Sequence, residues 1–180
     1  ADTTIAVNNP DVNRGTWADL EADGWDSSPG TGQVSMLIRW DLGALPSDAE
    51  VLGAAVTLFP VSWANGSDPF AVYEVLVPWG EMTATWNQRD TGLSWGVAGC
   101  QGTADRGATI IGTVQEDLLN PILIAATPEF ADLVQRWVTS PSQNMGLVMQ
   151  DYSLSLGLHV YSREHPVAAE RPVLEIMYTR

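Results

Sequence analysis

The stretch Val77 to Arg89 (VPWGEMTATWNQR) sets Glu81 between Trp79 and Trp86 and ends on an arginine. A carboxyl group walled by indole rings is a candidate general acid, because an apolar wall disfavours the charged form and raises the pKa. Glycoside hydrolysis needs only two carboxyl groups, and 22 acidic residues supply candidates for the second. The opposing reading is structural, with Glu81 capping a turn or pairing with Arg89 or Arg39. A second candidate lies near the N-terminus, in Asn9 to Asp19 (NPDVNRGTWAD), where oxygen donors recur at alternate positions in a glycine-containing turn. Hard cations take oxygen-rich loops of this kind, which makes Asp11, Asn13 and Asp19 candidate Ca2+ ligands. The pattern is half an EF-hand loop and lacks its closing bidentate glutamate; an Asx-turn without metal accounts for it as well.

Other chemistries find little footing. The two histidines, His159 and His165, fall in an alternating apolar run and in a turn before proline, with no His-x-His or His-Glu-x-x-His spacing for zinc or copper. Cys100 is the single cysteine; it reads as a small buried apolar residue rather than a nucleophile, and it excludes an intrachain disulfide. No Gly-x-Ser-x-Gly elbow or glycine-rich phosphate loop is present. The eight tryptophans divide in two. Trp40, Trp79, Trp86 and Trp137 sit in patterns that place them in the core. Trp17, Trp25, Trp63 and Trp95 fall in Gly/Ser/Asp-rich segments, where an indole either covers the end of a sheet or offers a sugar ring a flat polarisable face and an N–H donor.

The elements that would carry these residues are mostly strands. Gln33 to Asp41 alternates Val34, Met36, Ile38 and Trp40 against Ser35, Leu37, Arg39 and Asp41, the period of a half-buried strand. Val51 to Val61 is a continuous apolar run, as for a strand buried on both faces. Further strands are expected over 3–7, 71–77, 109–114, 146–150, 157–162 and 173–179, with turn clusters between them. One segment departs from this period: Phe130, Leu133, Val134, Trp137 and Val138 recur at helical spacing. Thr127 is positioned as N-cap, Pro128 as first helical residue and Ser140-Pro141 as the stop. The pattern predicts an all-β fold, an antiparallel jelly-roll-like β-sandwich with one short α-helix, as a single domain over residues 1–180.

Bulk composition narrows the partners. A hydrophobic content of 45% and 17% charged residues suit a folded domain with one core. Net charge is −14, and all eight basic residues are arginine. Such a surface repels polyphosphate and anionic lipid, so neither nucleic acid nor membrane is expected as a partner. No apolar run approaches the ~20 residues of a membrane span. The first residues show no basic and apolar signal pattern; a mature start and an excised module would both look like this.

Read in order, several blocks resemble the DNRLRE domain group, which includes the family ninety-six carbohydrate-binding modules. They are Asn13-Arg14-Gly15, Met36-Leu37-Ile38-Arg39-Trp40-Asp41-Leu42, Leu45-Pro46, Ala54-Ala55-Val56-Thr57-Leu58 and Val72-Tyr73-Glu74-Val75. Pro78-Trp79-Gly80-Glu81 with Thr85-Trp86-Asn87 follows, then Leu133-Val134-Gln135-Arg136-Trp137, Asn144-Met145-Gly146-Leu147, Ser162-Arg163-Glu164 and Arg171-Pro172-Val173-Leu174. The six-letter string that names the group is missing, but the ordered agreement spans nearly the whole chain.

The resemblance implies a non-catalytic β-sandwich module of a secreted or cell-surface multidomain protein, with a structural calcium and polysaccharide as ligand. It implies that the Trp79–Trp86 block is scaffold, with Glu81 and Arg39 satisfied in a polar network. The rim residues Trp17, Trp25, Trp95 and Arg14 are then the expected carbohydrate contacts. Members that bind acidic polymers such as alginate use basic grooves, and this chain departs from them: it has no lysine. Arg14, Arg106 and Arg136 would have to cluster, or calcium would have to bridge, for a carboxylate polymer to bind. A neutral glycan suits the charge better. The remaining alternatives are a structural or adhesive spacer with no ligand and a lyase or hydrolase using Glu81 or an N-terminal aspartate.

Overall fold

The computed structural model describes residues 1–24, 32–61, 69–115, 121–124, 127–151 and 157–180. In chain order the strands are β1 (Asp2–Ala6), β2 (Asp19–Ala22), β3 (Val34–Ile38), β4 (Glu50–Leu58), β5 (Phe70–Glu74), β6 (Gln88–Asp90), β7 (Leu93–Ser94), β8 (Gly112–Val114) and β9 (Ile122–Ile124). Helix α1 (Pro128–Thr139) follows, then β10 (Leu147–Gln150), β11 (Leu158–Tyr161) and β12 (Val173–Thr179). Over the described residues the fold is mostly β with one α-helix. A five-stranded sheet runs β1-β3-β10-β5-β8 and a three-stranded sheet runs β12-β4-β9; β11-β2 and β6-β7 form two-stranded pairs. Among the described residues every strand pairing is antiparallel and no sheet closes into a barrel.

The helix follows its local chemistry closely. The Thr127 hydroxyl accepts from the Phe130 N–H at 3.1 Å, Pro128 needs no donor at the first position, and Glu129 lies at the positive end of the dipole. Phe130, Leu133, Val134, Trp137 and Val138 form its buried stripe. They join one apolar cluster with Met36, Ile38, Val72, Leu147 and Met149 of the five-stranded sheet and Ala54, Val56, Leu58, Ile122 and Ile124 of the three-stranded one.

Two strands exchange the roles that their patterns predict. β3 alternates in sequence but is buried at every position, whereas β4, the continuous apolar run, is half exposed and leaves Leu52 open to solvent. The cause is a second apolar cluster on the other face of the five-stranded sheet. Ile5, Leu37, Val75 and Val148 of that face pack with Trp79, Ala84, Trp86, Trp95 and Cys100. The segment from 79 to 105, polar by composition, thus folds over the sheet and buries Leu37 and Ser35. At ~25 cal/mol per Å² and roughly 150–250 Å² per ring, each buried indole contributes about 4–6 kcal/mol of gross stabilisation.

Candidate functional site

The stretch around Glu81 is architecture in its tryptophans and chemistry in its carboxylate. Trp79 and Trp86 are both buried. The Trp79 indole N–H donates to the Met145 carbonyl at 2.8 Å, and the ring carries the Arg39 guanidinium 5.2 Å from its centroid. Neither indole forms the wall of an open cleft around Glu81. The expected ion-pair partners of Glu81 are also corrected. Arg39 sits over Trp79, and Arg89 donates to the Pro78 carbonyl at 2.7 Å. Glu81 Oε1 instead accepts from Arg163 Nε at 2.6 Å and from the Asp2 backbone N–H at 2.8 Å.

Around that contact three carboxylates converge. Asp2 of β1, Glu81 of the 79–90 segment and Glu164 after β11 each bring an oxygen to within 4.8 Å of the others. Asp2 is only 2% exposed, while Glu81 and Glu164 are partly buried. Burial pushes the Asp2 carboxyl up to about 7; the neighbouring Glu164 and Glu81 charges add to the rise, and the Arg163 backbone N–H on its Oδ2 at 3.0 Å opposes it. A partly buried acidic triad of this kind could hold a metal ion. An acid of raised pKa beside a second carboxylate also resembles a glycosidase pair, but Asp2 is closed off from solvent and Glu81 Oε1 is occupied. A glycosidic oxygen does not reach an atom that water does not reach.

The N-terminal loop spends its donors differently from a cation loop. Asn13 Nδ2 donates to the carbonyls of Glu81 and Ala84, both at 2.8 Å, and its Oδ1 accepts the Gly15 N–H at 3.1 Å. That is an Asx-turn in which both amide hydrogens are used. Asp11 Oδ1 accepts from Asn87 Nδ2 at 2.8 Å, and Asp19 lies in β2 opposite Tyr161 of β11. Asn13 therefore clamps the loop onto the backbone of Glu81, supporting the triad from behind.

The rim tryptophans have different fates. Trp95 is 5% exposed, with its N–H on the Thr85 carbonyl at 2.9 Å, so it packs inside the second cluster and offers no face to a sugar. Trp25 and Trp63 lie outside the described residues. Trp17 alone of the described rim set is open, at 45% exposure. The buried guanidinium of Arg14 lies over its ring, 4.6 Å from the centroid, and reaches Glu21 at 3.4 Å. The Trp17 carbonyl accepts the Ser162 hydroxyl at 2.6 Å, which ties this platform to the turn that carries Arg163 and Glu164.

The other sequence candidates are structural. His165 stacks on Tyr161 with ring centroids 3.7 Å apart and meets Glu170 at 3.0 Å. His159 faces Glu21 across the β2–β11 pair at 3.5 Å. Cys100 is buried with its thiol pushed up by that burial, which makes it a poor nucleophile. The three arginines that a carboxylate polymer would need to find clustered are each engaged elsewhere: Arg14 as above, Arg106 over Tyr73 at 3.7 Å and Arg136 on Glu74 at 2.6 Å.

Asp2 and Glu164 went unnoticed as chemistry in the sequence. The signal for Asp2 was a charged residue opening an apolar strand, DTTIA, where a carboxylate must be paired to be tolerated. No protein-family model matches the chain, and no curated protein matches it. Among the described residues no helix is long and apolar enough to cross a membrane.

Proposed function

We propose that this chain is a non-catalytic carbohydrate-binding module, an antiparallel jelly-roll-like sandwich that tethers a larger secreted or surface protein to polysaccharide, as its resemblance to the DNRLRE group implies. The observation that carries this reading is Trp17. Its indole is open to solvent and backed by a buried guanidinium, the arrangement that holds an aromatic ring flat for stacking. A ring fixed in advance loses little conformational freedom on binding. The acidic surface, with net charge −14, points to a neutral glycan.

Affinity electrophoresis against a panel of neutral and acidic polysaccharides tests the proposal. Retardation is expected in at least one neutral polymer, lost in Trp17→Ala and kept in Trp17→Phe, with no release of sugar from any gel. Unaltered mobility in every gel rejects it. The spacer reading draws on a separate observation: Leu52, Val173, Met177 and Tyr178 lie exposed along paired strands β4 and β12, with Glu175 between Val173 and Met177, and a neighbouring domain could cover these side chains.

A further inference from the structure

The carboxylates of Asp2, Glu81 and Glu164 do not use all their oxygens. Asp2 Oδ2 takes the Arg163 backbone N–H, Glu81 Oε1 takes the Asp2 N–H and the single Arg163 Nε–H, and Glu164 Oε1 lies 2.9 Å from Arg163 Nε as an ion pair. The other oxygen of Asp2, Oδ1, is buried and meets no donor. Glu164 Oε2 lies 3.3 Å from Ser162 Oγ, but that hydroxyl has one hydrogen and gives it to the Trp17 carbonyl at 2.6 Å. No protein donor among the described residues meets Glu81 Oε2. A carboxylate oxygen buried without a partner costs several kcal/mol unless something positive meets it. Arg163, 55% exposed, and the N-terminal ammonium, 3.8 Å from Glu81 Oε1, stand against three carboxylates.

We infer that Asp2, Glu81 and Glu164 form a Ca2+ site that pins strand β1 to the 79–90 segment and to the turn after β11. This goes beyond the carbohydrate reading and stands or falls separately from it. The ligand set is all carboxylate with no imidazole or thiolate, which selects a hard cation. Three carboxylates within reach of one another favour Ca2+, which takes a flexible shell of protein oxygens, over Mg2+, which keeps several waters and is held by one or two carboxylates. Asp2 Oδ1, buried without a protein donor, would be satisfied by a cation bound there. The partly exposed sides of Glu81 and Glu164 leave room for the waters that complete six to eight ligands. The site therefore lies beside the N-terminal loop and not on Asp11, Asn13 and Asp19.

Calorimetric titration of CaCl2 into the EDTA-treated full chain, paired with thermal melts, tests the assignment. One calcium per chain is expected, with a melting temperature raised by about 5–10 °C at a hundredfold excess over Kd. Asp2→Asn keeps the acceptor for Arg163 N–H and removes the charge. It should melt at or above the calcium-free wild type, showing that it folds, and should lose the calcium shift; Glu164→Gln should weaken binding at least tenfold. Absence of calcium heat in the wild type overturns the inference. So does a shift that survives Asp2→Asn but vanishes in Asp11→Asn/Asp19→Asn, or Mg2+ binding tighter than Ca2+.

Discussion

Replacing Asp105 by asparagine or alanine probes how the polar 79–105 segment holds its place over the sheet. Asp105 is 2% exposed and collects three backbone N–H groups, Gly96 on Oδ1 at 2.7 Å and Val97 and Gly102 on Oδ2 at 2.9 and 3.0 Å. Those bonds fold the loop that delivers Trp95 and Cys100 to the second cluster. Asparagine can leave its carbonyl oxygen on Val97 and Gly102, so the donor it gives up is Gly96, an exposed residue whose N–H finds water. The loss is then one charge-assisted bond resolvated and two weakened from charged to neutral, each step about 0.5–1 kcal/mol, together about 2 kcal/mol. Alanine also strands the N–H of buried Gly102, an orphan worth about 1–3 kcal/mol, for a total near 3–4 kcal/mol. Urea denaturation followed by tryptophan fluorescence should rank wild type, Asp105→Asn and Asp105→Ala in that order, with melting temperatures lower by about 4–8 °C and 6–15 °C. Two variants within ~0.5 kcal/mol of wild type, at unchanged m-value, would refute the idea that this carboxylate organises the loop.

Further substitutions probe the packing, the ion pairs and the helix cap of the same fold. Gly99 and Gly92 both have left-handed backbone, φ 78° and 72°, but a Cβ on Gly99 would stand 2.5 Å from the Trp86 ring while one on Gly92 meets nothing within 4 Å; Gly92→Ala should cost about 1 kcal/mol and Gly99→Ala about 2–4 kcal/mol, read by denaturation. The His159 hydrogen bond, with Arg14 beside it, holds the Glu21 carboxyl below its ordinary range. The stabilisation this gives is present above the unfolded-state value of 4.5 and fades as pH falls through the lower folded value, so Glu21→Gln should be less stable than wild type at pH 7 and the gap should close in acid. Thr127→Ala removes both the helix cap and the bond to the Ile111 carbonyl at 2.9 Å, and should cost about 1–2 kcal/mol while leaving Thr127→Ser near wild type.

What could be read from the sequence was whatever depends on near neighbours. The helix was legible to its cap, because Thr127, Pro128 and the apolar stripe are local instructions. Strands β1, β3, β4, β5, β8, β10, β11 and β12 were expected within a few residues of where they lie. β2, β6, β7 and β9 were not, being short and polar or bounded by no alternation. The burial of both faces of β3 and of Trp95 was hidden for one reason: the cover is supplied by a polar-looking segment some fifty residues downstream, which no window on β3 contains. The acid triad was invisible on the same ground. Its members are Asp2, Glu81 and Glu164, brought together by β1 pairing with β3 and by the turn after β11, and each looks unremarkable where it stands. Asn13, close to Asp11 and Asp19 in sequence, gives its amide hydrogens to backbone carbonyls 68 and 71 residues away, which no local spacing reveals.

The arginines decide between the polysaccharides that this surface could accept. Arg14, Arg39 and Arg106 lie over aromatic rings, Arg136 and Arg163 are bound to carboxylates, and Arg89 and Arg171 donate to the carbonyls of Pro78 and His165. Seven of the eight positive side chains thus have partners within the molecule, against 22 acidic residues. A polyuronate approaching Trp17 would meet a guanidinium turned into the protein and already shared with Glu21, with excess negative charge around it. It would bind only if cations bridged the two surfaces, and its affinity would then rise with calcium. A neutral glycan stacked on Trp17 has no such requirement, and its affinity should be flat between 0.05 and 0.5 M salt, roughly a threefold change in screening length. Binding that strengthens with added salt or calcium in an acidic polymer, and is missing in every neutral one, would transfer recognition from the indole to bridging ions.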